Sequence, residues 1–232
     1  MDFIFMVTRG DKTVNDCLEK VKLSIDAGVR HIGFKDIGVD LETLKTLNKM
    51  IKDSGARSYL EVVSTTVADE KNSIVFGAKI GVDMICGGKQ IQFAMRQTQG
   101  KGINYLPFVG TPIGHPTKLA GSPDDISSEC AEITEEGCYG VDLLAFRSID
   151  ASPIELVKAA RKSLNDAYLL VAGDIDSMER IDDIYSAGAS GFTVGSAIFD
   201  NKFSKNIGDF FENLSLVQNK TNDLNMLHGT MG

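Results

Sequence analysis

The chain has 232 residues, of which 43% are hydrophobic, and a formal net charge of -8 at pH 7. This length and apolar content predict one large domain with a sizeable core. The acidic balance, without any basic tract, argues against a nucleic-acid partner and against an anionic membrane surface. No apolar run reaches the roughly 18 residues of a membrane span, so we expect none.

The N-terminal residues and the cysteines both favour a cytoplasmic protein. Asp2 is acidic, and the apolar run around it is too short for a signal peptide. Cys17, Cys86, Cys130 and Cys138 have no spacing typical of a metal site or a redox pair. We therefore expect reduced, partly buried thiols.

Eight short apolar segments alternate with eight segments of helical periodicity. The predicted strands cover residues 3–8, 31–35, 59–64, 82–86, 104–109, 141–146, 168–172 and 191–194. The predicted helices cover residues 14–27, 41–53, 67–80, 91–99, 125–136, 153–164, 177–187 and 207–217. This regular alternation predicts an α/β protein with a closed (β/α)8 TIM barrel and a parallel eight-stranded core. A doubly wound open sheet is the alternative. The single barrel would span residues 1–217, and the polar residues 218–232 would form a mobile C-terminal tail.

The last two strands each end in a glycine turn. Residues 168–172 break at Gly173, and residues 191–194 end at Gly195, where Ser196 can cap a short helix. Free backbone N–H groups and the dipole at the start of a helix favour an anion, most often phosphate. We therefore predict a phosphate site at Gly173, Gly195 and Ser196. The alternative is that both turns need glycine for their backbone geometry alone.

The motifs VAGDI and GFTVGSAIF, at residues 171–175 and 191–199, resemble the end of a phosphate-binding (β/α)8 barrel. Relatives with similar motifs include hexulose-phosphate synthases, ketogulonate-phosphate decarboxylases and the barrels of histidine and tryptophan biosynthesis. The resemblance implies phosphate contacts from the loops after strands 7 and 8. Asp174 stands where many relatives have a second glycine, and we include it among the substrate-binding candidates. The D-x-K-x-x-D signature of the decarboxylase branch is missing, because strand 3 continues as Glu61-Val62-Val63-Ser64.

The active site of such a barrel lies at the C-terminal ends of its strands. Lys35 ends strand 2, and Arg147 follows strand 6. Glu61 should point into the barrel with Tyr59 and Val63, because Leu60 and Val62 should face the helices. Asp36 and Gly88, which also follow strands, are substrate-binding candidates.

Lys35 and Glu61 are predicted to pair at the barrel mouth. They could act as an acid/base couple, or Lys35 could form a Schiff base with a carbonyl substrate. The alternative is a structural ion pair that supports the upper layer of the barrel. Arg147 could bind a carboxylate or a phosphate, or it could be a surface residue.

The segment 110–125 is the longest gap between predicted elements and carries three prolines. A loop of this length in a compact barrel is typical of a lid or a binding loop. His115 is its candidate acid/base residue, although a loop histidine can also be merely solvated. No motif predicts a metal site, but Glu61 together with Asp36 could hold Mg²⁺.

Three hypotheses of function follow. The first is an enzyme, an isomerase, epimerase or aldolase/lyase, that removes a proton or breaks a C–C bond next to the carbonyl group of a small phosphorylated substrate. The alternative is a non-catalytic barrel that senses a phosphorylated metabolite and acts through a protein partner. A homo-oligomer is compatible with either hypothesis. A barrel that holds an intact nicotinamide or flavin cofactor is the least favoured of the three readings.

Overall fold

The computed structural model describes residues 1–204 and 209–229, the last two by their backbone alone. The strands of the main sheet are β1 Asp2–Met6, β2 His31–Lys35, β3 Arg57–Val62, β4 Met84–Gly87, β5 Asn104–Leu106, β6 Gly140–Leu143, β7 Tyr168–Val171 and β8 Gly191–Val194. These eight strands are parallel and form one curved sheet in the order β6-β7-β8-β1-β2-β3-β4-β5.

The two edges of this sheet meet between β5 and β6. The Asp142 N–H donates to the Pro107 carbonyl at 2.8 Å, and the Val109 N–H donates to the Asp142 carbonyl at 3.1 Å. The sheet thereby closes into a barrel, which confirms the predicted fold class. As regular strands, β1, β3, β5 and β6 end earlier than predicted, at Met6, Val62, Leu106 and Leu143. The residues after β5 still bond to β6 across the closure.

Helices alternate with the strands. They are α1 Cys17–Asp26, α2 Leu41–Asp53, α3 Val67–Ile80, α4 Ile91–Thr98, α5 Pro123–Glu135, α6 Pro153–Leu164, α7 Met178–Ser186, α8 Ser196–Phe199 and α9 Phe210–Gly229. Side-chain caps fix several N-termini, such as the capping box of Ser122 and Asp125 at α5. Among the described helices, none is both long and apolar enough to span a bilayer.

The barrel strands separate an inner layer of side chains from the main core under the helices. The inner cluster consists of Ile4, Met6, Tyr59, Met84, Cys86, Leu106 and Leu170. Leu60 and Val62 pack in the outer cluster, whereas Tyr59 lies inside, as the alternation predicts. Val63 was expected inside and is instead in the outer cluster, because β3 ends at Val62 and the alternation stops there.

Two antiparallel hairpins rise from the C-terminal rim of the barrel. The first hairpin pairs Thr8–Arg9 with Lys12–Thr13, directly after β1. The second hairpin pairs Thr111–Ile113 with Lys118–Ala120, within the segment expected to be an irregular loop. That expectation is corrected: Leu119 is completely buried in the core and anchors the second strand of this hairpin.

The last helix extends further than predicted. The start expected at residue 207 lies outside the described residues, as do residues 230–232 of the expected tail. Between them, α9 runs without interruption over Phe210–Gly229, past the boundary expected at 217. Its buried side chains continue at helical spacing: Leu214, Val217, Thr221 and Leu224. The polar surroundings of Thr221 and Leu224 hid this continuation in the sequence.

Candidate active site

An open cavity of about 180 Å³ lies at the C-terminal ends of the strands. It is lined by residues at or just after the C-terminal ends of six strands, together with the first hairpin. Seven of the predicted site residues line it: Lys35, Glu61, Arg147, Gly173, Asp174, Gly195 and Ser196. Thr8 and Asp11 of the first hairpin complete one wall.

Lys35 is buried between two carboxylates. The Thr13 hydroxyl accepts from the Lys35 N–H and donates to the Lys35 carbonyl, each at 2.9 Å, which fixes the end of β2. The Lys35 Nζ contacts Asp11 Oδ1 and lies 3.3 Å from Glu61 Oε2. Burial acts to lower the pKa of Lys35, but Glu61 and Asp11 together outweigh it and raise the pKa above its usual value. The side chain is therefore an ammonium ion at neutral pH.

Asp11 contacts both cations, Lys35 and Arg147, at the mouth of the barrel. It sits at the turn of the first hairpin with a left-handed φ of 67°. Besides Lys35, its carboxylate accepts from Arg147 Nη1 at 3.1 Å and from the Thr117 N–H at 3.3 Å. Burial acts to raise the pKa of Asp11, yet Lys35 and Arg147 hold it at about 2. A carboxylate bound this firmly is a weak base.

Arg147 connects Asp11 with Asp174, which follows β7. It closes a three-residue helical turn, Ala145–Arg147, that follows β6. Its Nε lies 3.3 Å from Asp174 Oδ1, and its Nη1 also donates to the Thr117 carbonyl at 3.3 Å. Burial acts to lower the pKa of Arg147, but Asp11 and Asp174 raise it. Its guanidinium therefore faces the cavity and is not a free surface group.

His115 reaches the same cluster from the second hairpin. Its Nδ1 lies 3.6 Å from Asp11 Oδ2, and about a quarter of its side chain is exposed. The second hairpin thus brings one titratable group to the edge of the mouth. This group approaches Asp11, and His115 does not line the cavity itself.

The predicted phosphate residues lie together at the other side of the cavity. Gly173 has a φ of 80°, and a Cβ there would meet Arg147 Nε at 2.7 Å. A Cβ on Gly195 would meet Thr8 Oγ1 at 2.6 Å. Over the described ranges, the N–H groups of Gly195 and Ser196 donate no hydrogen bond. The Ser196 hydroxyl accepts from the Gly10 N–H at 3.1 Å and ties α8 to the first hairpin.

Asp174 occupies the second glycine position of the seventh loop. Like a glycine, it adopts a left-handed φ, here 53°. Its carboxylate meets Arg147, so its charge is balanced by a cation beside the cavity.

Asp36 and Gly88 lie away from the cavity, and the geometry gives them structural contacts instead. Asp36 accepts from the Val63 N–H at 3.1 Å and from the hydroxyls of Ser64 and Ser73, at 2.5 and 2.7 Å. Gly88 lies against the Glu70 carboxylate, which a Cβ would meet at 2.5 Å.

Glu61 and Asp36, which were suggested as a possible Mg²⁺ site, have different surroundings, and that site stays a prediction. Asp36 faces β3 and α3, whereas Glu61 faces the cavity. Among the described residues, no group of three or more histidine, cysteine or acidic side chains is arranged to hold a metal ion. All four cysteines are free, and they are buried, although only partial burial was expected.

Comparison with known proteins places the architecture but no individual family. No family model matches the chain, and no curated protein matches it in sequence. Among solved structures, one described as native KDPGal aligns with a TM-score of 0.70 and 15% identity, covering 97% of both chains. Orotidine 5'-phosphate decarboxylase from Pyrococcus horikoshii OT3 aligns with a TM-score of 0.64 and 13% identity, over 94% of this chain and 98% of that one.

A tryptophan synthase complex from Pyrococcus furiosus aligns with a TM-score of 0.63 and 17% identity, over 92% of this chain and 94% of that one. These likenesses show that the chain has the fold of a (β/α)8 barrel. The resemblance drawn from the glycine turns is thus confirmed at the level of the fold.

Two acidic residues of the site were missed in the sequence. Asp11 follows β1 in the segment TRGDK, where a glycine beside an aspartate could have indicated a tight turn above the barrel. Asp142 lies within β6, between Val141 and Leu143 of the outer core. The alternation that placed Glu61 inside the barrel places Asp142 there as well.

Proposed function

We propose that the protein is an enzyme that acts on a small phosphorylated carbonyl compound, by removing a proton or breaking a C–C bond next to the carbonyl group. One observation carries the proposal. A buried lysine between two carboxylates shares a cavity with the paired glycine turns after β7 and β8. Such a site combines a cation and a base with a binding position for the phosphate group of a substrate.

In this proposal Lys35 acts as an ammonium ion. Removing a proton or a carbon fragment next to a carbonyl leaves an enolate, and a fixed cation stabilises its oxygen. A Schiff base would need the neutral amine, which the two neighbouring carboxylates disfavour. We therefore favour electrostatic and acid/base use of Lys35 over covalent catalysis.

Glu61 is the proposed base. Asp11 is bound by Lys35, Arg147 and the Thr117 N–H, so it serves to hold the two cations in place. Among the residues that the structure describes, Glu61 has one ion-pair contact, to Lys35 at 3.3 Å, and it faces the cavity. A buried carboxylate with a single cationic partner is better placed to accept a proton than one held by three groups.

The phosphate of the substrate would lie at Gly173, Gly195 and Ser196, with Arg147 beside it. The N–H groups at the start of α8, which donate no hydrogen bond among the described residues, and the Arg147 guanidinium can both bind an anion. The name of one structural neighbour, orotidine 5'-phosphate decarboxylase, includes a phosphorylated substrate, which is in keeping with this proposal.

A panel of phosphorylated sugars and keto acids, read by thermal shift and by product analysis, tests the proposal. Gly195→Asp should abolish binding, since it adds a negative charge and collides with Thr8. Gly195→Asn has nearly the same shape without the charge and separates steric from electrostatic loss. Binding that survives Gly195→Asp would place the anion elsewhere. A ligand that binds but is recovered unchanged would instead favour the metabolite-sensing alternative.

A further inference from the structure

Asp142 is a buried carboxyl group that the proposed reaction has not yet used. It is fully inaccessible to solvent, and neither of its side-chain oxygens has a hydrogen-bond partner among the described residues. Native structures rarely leave a buried carboxyl in this state, because an ionised carboxylate without partners is strongly disfavoured. We therefore expect Asp142 to be protonated and neutral, or to take part in the function of the protein.

The surroundings of Asp142 connect it to Glu61. The two residues line a small enclosed space beneath the mouth, together with Cys86 and Thr193, and that space has no room for a water molecule. Glu61 also lines the open cavity above. It is thus the acidic side chain that faces both the sealed interior and the substrate side.

We propose that Asp142 and Glu61 form a carboxyl pair coupled by charge, in which Asp142 is the protonated, positioning member and Glu61 is the member that exchanges a proton with the substrate. The pair deepens the function proposed above and rests on it where catalysis is concerned. Whether Asp142 carries a proton does not depend on the identity of the substrate, and can be measured without one.

The charges around the pair explain why Asp142 is its protonated member. Burial is the largest influence and raises the pKa of Asp142 well above its ordinary value, and the Glu61 charge raises it further. Lys35 and Arg147 act in the opposite direction but do not reverse the shift. Cys86 and Tyr59 also line this space, and the pKa of each is raised, mainly by burial.

Protons balance over a turnover. The resting pair holds one proton and one negative charge. When Glu61 takes a proton from the substrate, an O–H bond forms on Glu61 and the pair becomes neutral with two protons. When the carbanion or enolate is protonated, the pair returns one proton and its negative charge is restored. No oxidant, reductant or metal is needed.

Infrared spectroscopy of the whole chain at neutral pH tests whether Asp142 carries a proton. The wild type should show the carbonyl stretching band of a protonated carboxyl group, and Asp142→Asn should remove it. Asp83→Asn is the matched control, because Asp83 is hydrogen-bonded, its pKa is lowered, and its replacement should leave the band unchanged. A wild-type spectrum without the band, or a band that survives Asp142→Asn, would overturn the proposal.

Carbon-13 NMR of the aspartate carboxyl groups tests the coupling to Glu61. Glu61→Gln removes a neighbouring negative charge, so the apparent pKa of Asp142 should fall. An unchanged titration would show that the two groups do not form a pair.

Turnover provides a separate test once a substrate is in hand. Asp142→Asn should lower kcat by about 100-fold and change the shape of the pH profile, with KM little altered. An unchanged profile would overturn the catalytic use of the pair. A protein that shows the band and the coupling but converts no substrate would retain the pair and refute the proposed function.

Discussion

At the scale of single residues, the mouth of the barrel is a compact set of balanced charges. Lys35 and Arg147 supply two cations, and Asp11 and Glu61 supply two carboxylates, with all but Arg147 almost completely buried. Charges that are taken out of water persist when they are paired and hydrogen-bonded. Each member is consequently held by the others, and removing one leaves an unpaired charge.

Lys35→Met is expected to cost stability as well as activity. It leaves Asp11 and Glu61 with one cation fewer, and breaking a buried pair in this way costs about 3 to 5 kcal/mol. The free energy of unfolding, measured by denaturant titration, checks this. The double variant Lys35→Met with Glu61→Gln should recover part of the loss. A single variant as stable as the wild type would mean that the mouth is well solvated.

Acid should affect the wild type and Lys35→Met differently. The pKa of Asp11 is lowered from 3.8 to about 2 on folding, so its contribution is present above pH 3.8 and is lost as the pH falls towards 2. That contribution is about 2 kcal/mol. Without Lys35 the pKa of Asp11 rises towards or above its unfolded value. The acid-induced loss between about pH 4 and 2 should then shrink or change sign, and an identical pH dependence would contradict the ion pair.

Borohydride should trap no adduct on Lys35 in the presence of a substrate. The ammonium ion has no lone pair for attack on a carbonyl, and the pKa of Lys35 is raised and not lowered. Mass spectrometry of the reduced mixture is the measurement. A substrate-dependent mass increase located on Lys35 would favour the Schiff-base mechanism over the ammonium role.

Alternation along a strand made part of the site predictable. Glu61 could be placed inside the barrel because its neighbours Leu60 and Val62 are apolar and face the helices. Asp11 could not be placed, since its position depends on a hairpin turn above the barrel and on contacts with Arg147 and Thr117 far along the chain. Long-range contacts of this kind leave no periodic pattern in the sequence.

At the scale of elements, the second hairpin shows where local signals end. The length and prolines of residues 110–125 identified an unusual segment, but its pairing of Thr111 with Ala120 was not foreseen. This hairpin is anchored in the core by Leu119, and its Thr117 N–H binds Asp11. It is therefore part of the scaffold of the site, at least over its second strand.

Leu119→Ala should destabilise the fold by about 2 to 5 kcal/mol, because it leaves a cavity in a fully buried position. Ile113→Ala, on the exposed side of the same hairpin, is the matched control and should change stability by less than about 0.5 kcal/mol. Thermal or denaturant unfolding distinguishes the two. Equal, small effects would indicate that the hairpin is a detachable lid.

At the scale of the whole molecule, hydrogen bonds connect the N-terminus of the chain with its last helix. The Met1 amino group donates to Asn225 Oδ1 at 2.6 Å, and Asn225 Nδ2 donates to the Met1 carbonyl at 3.0 Å. The start of β1 and the end of α9 therefore lie side by side. The eight-unit repeat made this architecture predictable from the sequence, because every unit repeats the same apolar pattern.

The overall charge of -8 has a consequence for the proposed substrate. An acidic molecule repels a phosphorylated compound at long range, so binding must come from local groups. Arg147 and the N–H groups at the start of α8 are those groups in the proposed site.

The assembly of the protein into a homo-oligomer stays a prediction.

Hydrogen–deuterium exchange into the substrate tests the central claim most directly. Phosphorylated carbonyl compounds that bind should be incubated in heavy water with the wild type, Glu61→Gln or Lys35→Met, and the proton next to the carbonyl followed by NMR. The wild type should exchange that proton, and both variants should do so at least about 100-fold more slowly while Glu61→Gln still binds. A ligand that binds the wild type tightly and gains neither deuterium nor any change would contradict the enzyme and leave a sensor.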